Sequence, residues 1–229
     1  MQKYSSSINS ESKNDLEDLA TPHLIVFGGT SGIGLALALQ HRNLGWQVSV
    51  VGHSQNKIAQ INKDYADITS YCCDLTDLEQ RQRLLKDLEE VSFQRLIYSA
   101  GSYLNERVYK LDKANSDLML AINLQAFQQV FAWGSQQLKS QQLKSQKFDS
   151  SADNFINAKA SLICIASIAG TMDYPYASLY AKSKRAMIAT ASAYGLALEP
   201  YDIQVTCIAS GYIDTQALRD LNNGDASHK

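Results

Sequence analysis

The apolar positions of this chain fall into short blocks separated by longer amphipathic stretches. Leu24 to Phe27 is a compact apolar run, and Gly28, Gly29, Gly32 and Gly34 follow it at once. From Ile33 to Leu44 the apolar residues recur with a helical period, and Gly45 stands where a helix C-terminus places glycine. Gln47 to Val51 predicts a second strand, residues 57–67 a helix, and Thr69 to Cys73 a third strand. A charged helix is predicted from about Leu78 to Glu90, then a fourth strand over Gln94 to Ser99. A long helix is predicted over about Asn115 to Lys139, with Leu118, Ile122, Phe127, Val130 and Phe131 on its apolar side. Ser161 to Ala166 predicts a fifth strand, Ala177 to Leu198 a helix ended by Glu199-Pro200, and Ile203 to Ala209 a sixth strand. Strands alternating with helices predict an α/β domain with a doubly wound parallel sheet.

Two stretches stand outside this alternation. Residues 1–20 are rich in Ser, Asn and acids and predict a mobile tail ahead of a single domain over 21–229. Residues 135–158 are polar and carry SQQLK twice in tandem. They predict an extension of the long helix followed by a surface loop, an insertion that the surface tolerates.

Composition narrows the class. Of 229 residues, 45% are hydrophobic and 19% charged, and the net charge is -2. That balance offers no electrostatic case for nucleic acid or an anionic membrane. No apolar run reaches the roughly 18 residues that span a bilayer, and the polar N-terminus has no secretory apolar core. Cys72, Cys73, Cys164 and Cys207 lie in or beside strand-like runs without metal-ligand spacing. They read as reduced core residues of a cytoplasmic protein, and no metal site is expected.

The candidate chemistry sits in two places. Strand, glycine turn and helix at 24–44 is an arrangement that binds dinucleotides: the backbone turns tightly and the helix N-terminus offers free N–H groups to a pyrophosphate. Glycine-rich turns also occur without ligands, so the placement between strand and helix is what gives this one weight. An acid about 20 residues beyond such glycines often holds a ribose hydroxyl. Here that region holds Gly52, His53, Ser54 and Lys57, with no carboxylate to repel a 2′-phosphate. NADP (NADPH) is therefore favoured over NAD, with a solvated loop as the alternative role for His53. Asp74, at the end of the third strand, either caps the next helix or meets an adenine edge. Ala100 and Gly101 leave room at the end of the fourth strand. Asn123, inside the long helix, either bends it or carries function.

The second place is Ser161 to Met187. Tyr180 and Lys184 are four apart and share one helix face. A free tyrosine has a pKa of about 10, and a neighbouring ammonium lowers it toward a value useful for proton exchange. Ser167, at the end of the fifth strand, could hold the same substrate oxygen. Such a pair arises by chance in many helices, and the glycine turn upstream is what makes it a candidate.

Over roughly residues 22–215 the chain resembles the short-chain dehydrogenase/reductase family. Gly28-Gly29-Thr30-Ser31-Gly32-Ile33-Gly34 resembles the family's TGxxxGxG, with Phe27 in place of threonine. Tyr98-Ser99-Ala100-Gly101 resembles its NNAG, with both asparagines lost, and Asn123 falls at its helix asparagine. Ser167 precedes Tyr180 by the usual 13 residues, Tyr180 to Lys184 is YxxxK, and Ser210-Gly211 resembles PG.

The resemblance implies a Rossmann-like fold and hydride transfer between a nicotinamide cofactor and a carbonyl or alcohol substrate. Tyr180 would be the general acid/base, Lys184 its partner and a ribose ligand, Ser167 the substrate-orienting group, and Asn123 part of a water relay. Gly28, Ser31, Gly32, Ile33 and Gly34 would line the pyrophosphate. His53 and Ser54 would lie at the adenosine ribose and its phosphate, Asp74 and Leu75 at adenine, and Ala100 and Gly101 near the ribose. Gly211, Ile213 and Thr215 would approach the nicotinamide. Losing the NNAG asparagines and gaining Phe27 should loosen the usual sheet-centre hydrogen bonds without touching the chemistry.

Family members continue with a substrate-covering helix and a seventh strand. Here the sequence ends at ALRDLNNGDASHK, so either six strands without the usual last one are expected or the sequence stops short. The family also implies a homodimer, with a homotetramer as the alternative, formed through the helices at 115–139 and 177–198. A non-catalytic dinucleotide sensor or scaffold is the competing function.

Overall fold

The structure is a computed structural model that describes residues 21–103, 112–148, 159–173, 177–216 and 218–220. The expected tail at 1–20 and residues 149–158 of the polar insertion lie outside them. Six strands occur among the described residues: β1 (His23–Phe27), β2 (Gln47–Gly52), β3 (Ile68–Cys72), β4 (Arg95–Tyr98), β5 (Ser161–Ile165) and β6 (Gln204–Ile208). They form one parallel sheet in the order β3-β2-β1-β4-β5-β6. The helices are α1 (Gly32–Asn43), α2 (Gln55–Asp64), α3 (Leu78–Asp87), α4 (Lys113–Leu120), α5 (Phe127–Phe148) and α6 (Ser178–Leu198).

The period of two along each strand divides the core. Leu24 and Val26 face one layer with Val48, Val50, Ala38 of α1 and Ile61 of α2. Ile25 and Phe27 face the other, with Leu84 and Leu85 of α3, Phe127 and Phe131 of α5, and Met187 and Ala191 of α6. β1 is buried on both faces, which is why it reads as a continuous apolar run. β3 and β6, at the sheet edges, are less buried.

The second helix is shorter and earlier than the predicted 57–67. Ser54 caps it, accepting from the Lys57 N–H at 3.4 Å, and it ends at Asp64. The predicted 115–139 helix is a composite that begins at Lys113, passes through a π-helical turn at Ala121–Ala126 and continues to Phe148. Both SQQLK copies lie in α5, where Leu138 is buried. Cys73 and Cys164 are buried as expected, but Cys72 is exposed, because it ends an edge strand, and Cys207 is only half-buried.

Phe27 and Tyr98 fill the sheet centre with aromatic packing. Both side chains are fully buried, with ring centres 6.4 Å apart in a stacked pair, and Tyr98 meets Phe127 edge-on at 5.4 Å. The Tyr98 ring is thus packed from both sides by aromatic neighbours.

Candidate active site

The candidate residues gather at the C-terminal edge of the sheet. Strand order reverses between β1 and β4, and such a switch point opens a crevice beyond the strand ends. Gly28 leaves β1 with φ +82°, and a Cβ there would lie 2.5 Å from the Ala100 nitrogen. A Cβ on Gly34 would fall inside 3.0 Å of the Gly28 carbonyl oxygen. These two glycines therefore let β1, α1 and the end of β4 close on one another. Gly32, at φ +55°, is different: a Cβ there would meet only Thr215 Cγ2, at 3.7 Å.

That contact brings the Thr215 segment to the start of α1, while Gly211 and Ile213 are exposed. Ser31 is the N-cap of α1, yet its side chain makes no capping bond, and no acid lies in the first turn. The backbone donors of that turn are left for an anion, and Ile33 is half-buried beside them. The site therefore fits the pyrophosphate of a dinucleotide.

A cation stands beside this turn. Lys57 Nζ donates to Ser31 Oγ at 3.2 Å, from α2 back to α1. His53 is exposed at the end of β2, and its carbonyl accepts from the Cys72 thiol at 3.6 Å. Ser54 serves as the α2 cap. Asp74 does not cap α3: its Oδ1 accepts from the Thr76 N–H at 2.9 Å and hydroxyl at 2.7 Å. The cap is Asp77, which accepts from the Glu79 and Gln80 N–H groups. Leu75 is buried, and its carbonyl accepts from the buried guanidinium of Arg81.

The proposed chemistry lies across the crevice. Ser167 lies two residues past the end of β5; its hydroxyl accepts from the Ala169 N–H at 3.2 Å and stands beside the Tyr180 hydroxyl near the start of α6. Gly170 permits this approach: a Cβ there would lie 2.8 Å from backbone atoms of Lys184 and Arg185. The Tyr103 ring meets Tyr180 edge-on at 4.8 Å. Lys184 is buried and donates to the Ile165 carbonyl at 3.1 Å and toward Met187 Sδ at 3.5 Å. Burial lowers its pKa to about 8, against smaller upward pulls from Cys164 and Cys207.

Burial raises the Tyr180 pKa, opposed only by the Ser167 hydrogen bond. The expected lowering by Lys184 is therefore not met in this structure. The ammonium lies 5.7 Å from the ring centre and is turned to the backbone, so desolvation of the phenolate prevails.

Asn123 is fully buried in the π-helical turn. Its Oδ1 accepts from the Ser102 N–H at 2.9 Å, and its Nδ2 donates to the Ser102 carbonyl at 2.8 Å and to Ser183 Oγ at 3.2 Å. The side chain clamps the exit of β4 at Ser102. Gly101 fits between the two halves of the site: a Cβ there would lie 3.1 Å from Asn123 Oδ1 and 3.4 Å from Lys184 Nζ.

Ser167, Tyr180, Lys184 and Asn123 thus converge with Ala100 and Gly101, while the glycine turn, Ser31 and Thr215 form the adjoining half. No local pattern signals the Gly170 and Tyr103 contacts, which join residues distant in the chain. Among the described residues no cluster of His, Cys, Asp and Glu could hold a metal ion, and no helix is long and apolar enough to cross a membrane.

Comparison with known proteins agrees with this geometry. Residues 22–226 match the family model described as short chain dehydrogenase. A 3-oxoacyl-[acyl-carrier-protein] reductase FabG from Rickettsia bellii is 25% identical over 207 residues, covering 90% of this chain and 78% of the relative. A tropinone reductase homolog from Datura stramonium is 25% identical over 199 residues, covering 83% and 68%. Among solved structures, ElxO with NADP bound superposes with a TM-score of 0.74 at 19% identity, covering 90% of this chain and 79% of that one.

Proposed function

Because this chain belongs to the short-chain dehydrogenase family, whose members are oxidoreductases acting on carbonyl or CH–OH groups, we propose that it is an NADPH-dependent carbonyl reductase with Tyr180 as its proton donor. The observation that carries this reading is the Tyr180 hydroxyl beside that of Ser167, on the helix whose buried Lys184 lies next to Gly101. A nicotinamide dinucleotide bound along that turn would supply the hydride. The chain's own groups do the rest.

Ser167 holds the substrate oxygen by a hydrogen bond. Tyr180, kept protonated at neutral pH by burial, gives that oxygen a proton as its negative charge develops. Lys184 supplies positive charge beneath the tyrosine and a donor for a ribose hydroxyl. Asn123 fixes the backbone at Ser102 and so the wall beside Gly101. A sensor would have no use for a tyrosine and serine hydroxyl joined beside a buried lysine.

The preference for NADPH rests on Lys57. Its ammonium sits at Ser31, and no carboxylate occupies the end of β2 at Gly52, His53 or Ser54. A 2′-phosphate would find a cation and no repulsion there. The relative solved with NADP bound is in keeping with this choice. Fluorescence titration with NADPH and with NADH tests it: tighter NADPH binding is expected, and tighter NADH binding would overturn the cofactor choice. The chain is further proposed to act as a homodimer through α5 and α6, which sedimentation at micromolar concentration would check.

A further inference from the structure

The lost asparagines of the β4 exit have a replacement with its own role. Tyr98 is fully buried, and its hydroxyl donates to the Ile122 carbonyl at 2.6 Å. Ile122 lies inside the π-helical turn and immediately precedes Asn123. A π-helical turn is a rare departure from α geometry that inserts one residue into the helix and turns the following side chains. The Asn123 side chain, so turned, reaches both backbone groups of Ser102. Ser102 follows Gly101, the residue that lies against Asn123 Oδ1 and Lys184 Nζ. Tyr98 is also only four residues before Ser102, so the chain forms a closed loop: β4 holds the turn through Tyr98, and the turn holds the β4 exit through Asn123.

We propose that Tyr98 is a positioning residue for the active site, fixing the π-helical turn through the Ile122 carbonyl so that Asn123 clamps Ser102 beside Lys184. The proposal rests on the reading of this crevice as a reductase site, and it concerns a group that touches neither substrate nor cofactor. Phe27 and Phe127 hold the Tyr98 ring in place, so the hydroxyl can be removed without emptying the core.

Tyr98→Phe is the test, read in two ways. Amide hydrogen exchange should accelerate at least about tenfold in peptides covering 99–103 and 120–127, while peptides of β1 and β2 keep their wild-type protection. Unchanged exchange everywhere, or a uniform rise that includes β1 and β2, would overturn the proposal. This readout needs no substrate, so it decides the matter even if the reductase reading fails.

For turnover, the most active substrate from a panel of aliphatic and aryl ketones is used with NADPH. Tyr98→Phe should lower kcat about tenfold with little change in the NADPH Kd. Tyr98→Phe combined with Asn123→Ala should be no slower than Asn123→Ala alone. Additive losses in the double variant, or a kcat equal to wild type, would contradict a role exerted through Asn123.

Discussion

Lys184 and Tyr180 share a face of α6, yet the Lys184 ammonium stands 5.7 Å from the Tyr180 ring centre and donates to the Ile165 carbonyl at 3.1 Å. The lysine is held by the strand below rather than by the tyrosine beside it. It is also deeply buried, which lowers its pKa from 10.5 to about 8. Between those values an unfolded chain keeps a proton that the folded chain has released, so folding stability gains from rising pH.

Lys184→Met should therefore stabilise the cofactor-free protein at pH 7, by on the order of 1–3 kcal/mol. The advantage should shrink as pH rises from about 8 toward 10.5. Urea unfolding of both proteins at pH 7 and pH 10 checks this. A difference independent of pH would contradict it.

Lys57 reaches Ser31 across the mouth of the glycine turn, where its ammonium would meet a 2′-phosphate. Lys57→Ala should weaken NADPH binding about tenfold and leave NADH binding unchanged. Equal losses for the two cofactors would place Lys57 at the pyrophosphate or in the fold instead. Fluorescence titration of the variant with each cofactor separates these outcomes.

Gly34 and Gly45 show that glycines of similar prominence carry different constraints. An added Cβ at Gly34 collides with the Gly28 backbone, whereas at Gly45, φ +83°, it meets nothing within 4 Å. Gly34→Ala should cost about 3 kcal/mol or more, or prevent folding, because neither backbone can yield. Gly45→Ala should cost about 1 kcal/mol, the conformational penalty alone. Denaturant unfolding of the two variants ranks them, and a reversed order would refute the packing argument.

These contrasts mark what the sequence could reveal. The glycine turn, the Ser167–Tyr180 interval and the strand pattern were legible because each is a local spacing that the backbone turns into geometry. All six strands fall within two residues of their expected bounds for the same reason. The π-helical turn at Asn123 was not legible beyond an asparagine out of place, because Tyr98 and Ser102, which hold it, come from another element. Asp74 and Asp77 were interchangeable in sequence as caps, and only the backbone path after β3 decides between them. The Tyr180 pKa also went against its local neighbour, since desolvation depends on the whole surround and not on one lysine four residues away.

The central claim is that Tyr180 donates a proton to a substrate oxygen held by Ser167. The most direct measurement follows NADPH consumption over a broad ketone panel with wild type and Tyr180→Phe, alongside NADPH titration of both. The account predicts ketone-dependent oxidation by wild type, a loss of about 10²–10⁴-fold in kcat for Tyr180→Phe, and an NADPH Kd unchanged within a few fold. Turnover by Tyr180→Phe at the wild-type rate would contradict it.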